Sequence, residues 1–231
     1  MSGEIVRTKK FVRDATDLIL DVAHQALAQR GEFRIALSGG NTPRPVYAEV
    51  SESGHMPWKD VLITFGDERC VPPEDEQSNF RMVKEALFLP ANIPERSILR
   101  MRGEIDPEMA AREYEEKLDA LAAERGEQIY RHDLILLGMG DDGHTASLFP
   151  ETAALAETRR RVVSNFVPKF DSWRLTCTFS LINQARHVCF LLNATKHSDL
   201  IEQVLQGNAQ YPAARVQPTS GKLTWILGQA A

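Results

Sequence analysis

Short apolar runs alternate with amphipathic stretches along almost the whole chain, and that rhythm leaves few architectures open. From Asp14 to Gln29, the residues Leu18, Ile19, Val22, Ala23, Ala26 and Leu27 recur at helical spacing, and Gly31 follows as a stop. Phe33 to Leu37 reads as a strand, broken by Ser38-Gly39-Gly40. Pro43 suits the first turn of the next helix, because its φ is already close to the helical value. Val61 to Phe65 is another strand and Asn79 to Phe88 another helix. Asp106-Pro107 opens a long amphipathic helix expected to reach about Arg125, carrying Met109, Tyr114, Leu118 and Leu121. Asp133 to Leu137 is nearly all apolar, as in the middle of a parallel sheet covered on both faces. Arg161 to Val163, Arg174 to Phe179, His187 to Leu192 and Leu223 to Leu227 are further strands, the last two separated by a helix from about Lys196 to Gln206. Strands alternating with helices imply an α/β fold: a doubly wound, mostly parallel, Rossmann-like sheet with helices on both faces and ligands beyond the strands' carboxyl ends.

No repeat, low-complexity block or linker interrupts the 231 residues, so residues 1–231 are expected to form one α/β domain. A chain of that length buries roughly 70% of its unfolded surface and needs no disulfide or structural metal. No run approaches the ~18 apolar residues of a membrane span. Met1 to Lys10 is polar and lacks the apolar stretch of a secretory signal. The three cysteines, Cys70, Cys177 and Cys189, are an odd set without a Cys-x-x-Cys pair, which fits reduced thiols and a cytoplasmic location. A net charge of −5 argues against a broad nucleic-acid surface, but leaves room for a local basic site that takes a small anion.

Three polar loops each follow an expected strand. The first, Ser38-Gly39-Gly40-Asn41-Thr42-Pro43, has glycines that let backbone approach a ligand and a following helix that presents free N–H groups. Its composition suits a phosphate, although it lacks the Lys-Ser/Thr ending of a Walker A loop, and a plain capped turn is the alternative. The second, Phe65-Gly66-Asp67-Glu68-Arg69, gathers charges that are costly at a strand end unless they face water, a ligand or one another. Arg69 can fork onto a phosphate or carboxylate, and Asp67 can accept from sugar hydroxyls.

The third loop runs from Leu137 to Pro150. Gly138, Gly140 and Gly143 formally match G-x-G-x-x-G, but Asp141 and Asp142 would face an incoming pyrophosphate, so a dinucleotide is rejected. What the loop offers is His144 beside Asp142: an imidazole that takes and returns protons near neutrality, next to a carboxylate that can fix its tautomer. A metal on Asp141, Asp142 and His144 is disfavoured because adjacent residues rarely converge on one ion. A Ser-His-Asp triad through Ser38 or Ser147 lacks the G-x-S-x-G elbow. Direct attack by activated water is the simpler chemistry. The remaining histidines, His24, His55, His132, His187 and His197, lack such surroundings.

Together these stretches resemble the 6-phosphogluconolactonase family, a relative of the glucosamine-6-phosphate deaminases/isomerases. The resemblance rests on Ser38 to Pro43, Asp67 to Pro72, Ser78-Asn79, Gly138 to Pro150, Val167-Pro168-Lys169 followed by Arg174-Leu175-Thr176, and the Lys196 region. The continuation Ala146-Ser147-Leu148-Phe149-Pro150 is the lactonase form; the deaminase branch typically runs toward Phe-Asn-Glu. Phe170-Asp171-Ser172-Trp173 departs from the family, which often has further prolines there. The resemblance implies hydrolysis of 6-phospho-D-glucono-1,5-lactone, with His144 as general base oriented by Asp142. It also implies substrate binding by Gly39, Gly40, Asn41, Thr42, Asp67, Arg69, Lys169 and Arg174, and neither cofactor nor metal. The alternatives weighed are an amino-sugar phosphate deaminase/isomerase and a non-catalytic sugar-phosphate sensor. The expected partner is the small sugar-phosphate lactone, not a nucleic acid or a membrane.

Overall fold

The computed structural model describes residues 3–195 and 198–229. In chain order the elements are β1 (Glu4–Thr8), α1 (Phe11–Arg30), β2 (Phe33–Leu37), α2 (Arg44–Glu52), β3 (Val61–Phe65), β4 (Asp67–Arg69), α3 (Asn79–Val83) and α4 (Pro107–Ala123). They continue with β5 (Leu134–Leu137), β6 (Val162–Val167), β7 (Ser172–Cys177), α5 (Phe179–Ile182), β8 (His187–Asn193), α6 (Ser198–Leu205) and β9 (Lys222–Gly228). Six strands pair in parallel in the order β1-β9-β8-β5-β2-β3. The remaining three make a small antiparallel sheet, β4-β7-β6.

Period-two alternation divides each central strand between two cores. Phe33, Ile35, Leu37, Leu134, Leu136, Cys189 and Leu191 face α1, α2 and the segment after α3. Ala36, Ile135, Leu137, Val188, Phe190 and Leu192 face α4, α6 and the small sheet. Strands buried on both faces have no polar side to show, which is why they read as continuous apolar runs. Helix α1 buries Ala15, Ile19, Ala23 and Ala26 and ends on Gly31 at φ 74°, whose N–H donates to the Leu27 carbonyl. No helix among the described residues is long and apolar enough to cross a membrane.

The doubly wound architecture expected from the alternation is present, with local differences. The polar N-terminus forms β1 at the sheet edge beside β9, where half-exposed residues suffice. The helix expected over 79–88 changes after Val83 to a wider π-type turn through Phe88. Met109 is exposed, because it lies in the first turn of α4 beside the capping Asp106, away from the buried Tyr114 and Leu118. Phe179 starts a short helix instead of ending a strand. Lys196 and His197 lie outside the described residues.

From β2 the chain moves outward to β3, whereas from β5 it moves the opposite way through β8 to β9. The order therefore reverses between β2 and β5, and a crevice opens above their carboxyl ends. The first and third polar loops leave from those two strands.

Candidate active site

A cleft of about 700 Å³ fills that crevice. It is lined by Ser38 to Pro43 from the first loop, Asp67 and Arg69 from β4, and Gly138 to Asp141, His144 and Phe149 from the third loop. Phe170 and Arg174 of the β6–β7 hairpin close it. The three loops picked out by composition thus border one space.

The turn after β2 is pinned from below: the Tyr47 hydroxyl accepts from the Ser38 N–H at 3.1 Å and donates to the Ser38 carbonyl at 2.8 Å. A Cβ on Gly39 would lie 1.7 Å from Asn79 Oδ1, so only glycine lets the loop cross the start of α3 at this height. Asn79 Nδ2 in turn donates to Asp67 Oδ1 at 3.2 Å, while Ser147 Oγ donates to Asp67 Oδ2 at 2.7 Å. Asp67 is therefore buried and held from both sides by the neighbouring loops. Glu68 has a structural duty: its carboxylate accepts from the Asn79 and Phe80 N–H groups at 2.7 Å each, stabilising the helix start.

The histidine loop is built around the imidazole. Asp142 Oδ1 lies 2.5 Å from His144 Nδ1 and also accepts from the His144 N–H at 3.1 Å. Phe149 stacks on the ring at 3.8 Å between centroids and 24° between planes. On the remaining side Gly140 packs so closely that a Cβ there would lie 2.0 Å from His144 Cε1. The ring is thus clamped on three sides, and Nε2 has no protein partner among the described residues. Burial opposes ionisation of Asp142, but hydrogen bonds from His144 and Lys169 outweigh it and hold the carboxyl well below the usual range. Neither Phe149 nor its stacking was anticipated; a five-residue spacing in an irregular loop carries no periodic signal.

Lys169 donates to Asp141 at 2.7 Å and to Asp142 at 3.1 Å, and it does not line the cleft. The two arginines do line it, and the register of the small sheet sets them directly opposite each other, Arg69 against Arg174. Facing like charges on adjacent strands are destabilising unless something negative lies between them. Burial, and then the neighbouring Arg69, lower the pKa of Arg174. Arg69 donates to the Gln77 carbonyl. Buried Ser38 Oγ, Asn79 Oδ1 and Arg174 Nε all border the cleft without a protein partner. Atoms of this kind are costly to leave unpaired, and these three belong to residues gathered on one side of the cleft.

Other candidates fall away. Burial pushes the Cys70 thiol up to about 11, so it is no ready nucleophile. Ser147 is consumed by Asp67, and Ser38 and His144 are not hydrogen-bonded to each other. Among the described residues no three His, Cys, Asp or Glu side chains are placed to hold a metal ion. Gly40 and Asn41 are exposed and Thr42 is half-buried where they line the cleft.

Comparison with known proteins identifies the family. The sequence profile of the family described as glucosamine-6-phosphate isomerases/6-phosphogluconolactonase matches residues 7–225. A 6-phosphogluconolactonase of Synechocystis is 42% identical over 212 residues, covering 90% of this chain and 86% of that one. One from Haemophilus influenzae is 34% identical, covering 85% of each chain. The crystal structure of a 6-phosphogluconolactonase from Thermotoga maritima superposes with a TM-score of 0.86 at 27% identity, covering 98% of this chain and 99% of that one. The chain belongs to the glucosamine-6-phosphate isomerase/6-phosphogluconolactonase family.

Proposed function

We propose that this protein hydrolyses 6-phospho-D-glucono-1,5-lactone to 6-phosphogluconate, with His144 moving the proton. The observation that carries the reading is the clamp on His144: Nδ1 is committed to Asp142 at 2.5 Å, which leaves Nε2 as the ring's free nitrogen at a cleft whose other wall is two facing arginines. A histidine so held is in one tautomer, with its basic nitrogen available to water.

In this account water attacks the lactone carbonyl carbon while His144 Nε2 accepts its proton, giving a tetrahedral intermediate. The bond from that carbon to the ring oxygen then breaks, and the imidazolium returns the proton to the departing oxygen. The ring opens to an acid and an alcohol. Asp142 stabilises the imidazolium, and Lys169 keeps Asp142 ionised and in place. Arg69 and Arg174 take the phosphate, with backbone and side chains of Gly39, Gly40, Asn41 and Thr42 at the other side of the mouth; Asp67 faces the sugar between them. No electrons are transferred, so the chemistry calls on no redox cofactor.

The test is acid release in a pH-stat from freshly prepared 6-phosphogluconolactone, corrected for spontaneous hydrolysis, beside free gluconolactone and glucosamine 6-phosphate. Rapid turnover of the phosphorylated lactone, slower turnover of the free one and no ammonia from the amino sugar are expected. Ammonia release without lactone turnover would place the chain in the other branch of the family, and product binding without turnover would make it a sensor.

A further inference from the structure

At the tip of the β6–β7 hairpin, Pro168 to Asp171, Phe170 lines the cleft and is half exposed. Exposure alone would be unremarkable, since Trp173 and Phe166 of the same hairpin are similarly exposed, but of these three aromatics only Phe170 lines the cleft. Its neighbours suggest what it does. The Phe170 ring meets Phe149 edge-to-face at 5.7 Å and 77°, on the ring that stacks against His144. The Arg174 guanidinium lies 5.6 Å from the Phe170 centroid, and the Lys169 ammonium 5.5 Å. Among the described residues the Arg174 side chain makes no hydrogen bond or ion pair, and Arg69 stands directly opposite it. The Arg174 guanidinium, repelled by Arg69 and attracted from a distance by Asp67 and Glu68, thus has the ring of Phe170 as a direct side-chain neighbour. The tip itself is anchored, because Lys169 ties it to Asp141 and Asp142.

We propose that Phe170 is a positioning residue: its ring holds the Arg174 guanidinium toward the cleft by a cation–π contact and braces Phe149 against His144, so one side chain joins the anion-holding wall to the proton-transferring wall. The inference rests on the functional reading above for its substrate, though not for its geometry. A cation–π contact at a half-exposed site is worth about twofold to fivefold in binding.

The experiment compares Phe170→Leu and Phe170→Tyr with the parent. Leucine keeps apolar bulk and lacks the ring's quadrupole; tyrosine keeps the ring. Phe170→Leu is expected to raise KM for 6-phosphogluconolactone about fivefold and to leave KM for free gluconolactone unchanged, and Phe170→Tyr to restore the parent value. Inorganic phosphate titrated by calorimetry should weaken in the leucine variant by a similar factor. The brace on Phe149 is read from kcat, which should fall in parallel on both lactones, and an unchanged kcat would overturn it; an equal rise of KM on both lactones, or a leucine variant with parent KM and phosphate affinity, would overturn the hold on Arg174. A parent that binds phosphate in a Phe170-dependent way but hydrolyses no lactone would overturn the functional reading and leave this role standing; a parent that hydrolyses the lactone with KM and phosphate affinity independent of Phe170 would overturn this role and leave the functional reading standing.

Discussion

Gly140→Ala separates the placement of His144 from its presence. Gly140 does not occupy the left-handed region, so alanine is conformationally admissible there. The added methyl would lie 2.0 Å from His144 Cε1 and 2.2 Å from Nδ1, against an ordinary contact beginning near 3.4 Å. The imidazole must therefore withdraw by about 1.4 Å, the difference between 3.4 and 2.0 Å. Its other sides are occupied by Asp142 at 2.5 Å and Phe149 at 3.8 Å, so it moves only by leaving one of them. A displacement near 1 Å at the reacting centre costs roughly 100-fold in rate. We expect kcat/KM for 6-phosphogluconolactone to fall by about that factor. The strain is confined to a partly exposed loop, about 1 kcal/mol of overpacking, which shifts Tm by roughly 2–4 °C in a chain of this size. The assay pairs pH-stat kinetics with thermal unfolding and with calorimetric binding of 6-phosphogluconate, which should change little. Gly138→Ala is the control for folding of the same loop, because a methyl there meets no protein atom within 4 Å, and it should keep the parent Tm. A folded Gly140→Ala enzyme with unchanged turnover would refute the argument that the clamped position of His144 is what the loop exists to provide.

Other expectations follow from the same geometry. Asp142→Asn should lower kcat by about 10²- to 10⁴-fold with KM nearly constant, since it leaves the imidazole without its counter-charge; a parent-like kcat would remove Asp142 from catalysis. Arg69→Ala should raise KM at least tenfold for the phosphorylated lactone, and an unchanged KM would place the phosphate elsewhere. Burial lowers His132, whose Nε2 is 2.8 Å from Thr64 Oγ1, to a pKa of about 3. Its unfolded value is near 6.5, so the unfolded chain binds the extra proton: stability is full above pH 6.5 and is lost as pH falls from there toward 3. At pH 5 the loss is about 2 kcal/mol. Chemical denaturation at pH 7 and pH 5 should show this drop, reduced by that amount in His132→Gln; an identical drop in both proteins would show that His132 already carries its proton in the fold.

Much of this is legible in the sequence, for physical reasons. A strand covered on both faces must be apolar throughout, so Leu134–Leu137 announced a central parallel strand. A strand-to-helix turn that approaches a ligand favours glycine, so Gly39 and Gly40 marked one side of the cleft, whereas the packing of Gly140 against His144 was not legible. Pairing across distance was not legible. Nothing in the order of residues sets Arg69 opposite Arg174; that comes from the register of an antiparallel sheet whose short strand Asp67–Arg69 reads as a loop. Lys169 reads as a free cation until the hairpin folds back and Asp141 and Asp142 engage it. Gly143 supplies the positive φ the turn requires, yet its packing under Tyr211, which a Cβ would meet at 2.6 Å, depends on a segment nearly seventy residues away. Local chemistry is written locally; the contacts that aim it are set by topology.

The central claim is that the imidazole of His144 transfers the proton in lactone hydrolysis. The direct measurement is the initial rate of acid release from 6-phosphogluconolactone by the parent and by His144→Ala, at saturating substrate and corrected for spontaneous opening. Folding and 6-phosphogluconate binding are verified on the same samples. The account predicts a turnover about 10²- to 10⁴-fold lower in the variant, with product affinity preserved. A folded, product-binding His144→Ala protein that releases acid at the parent rate would contradict it.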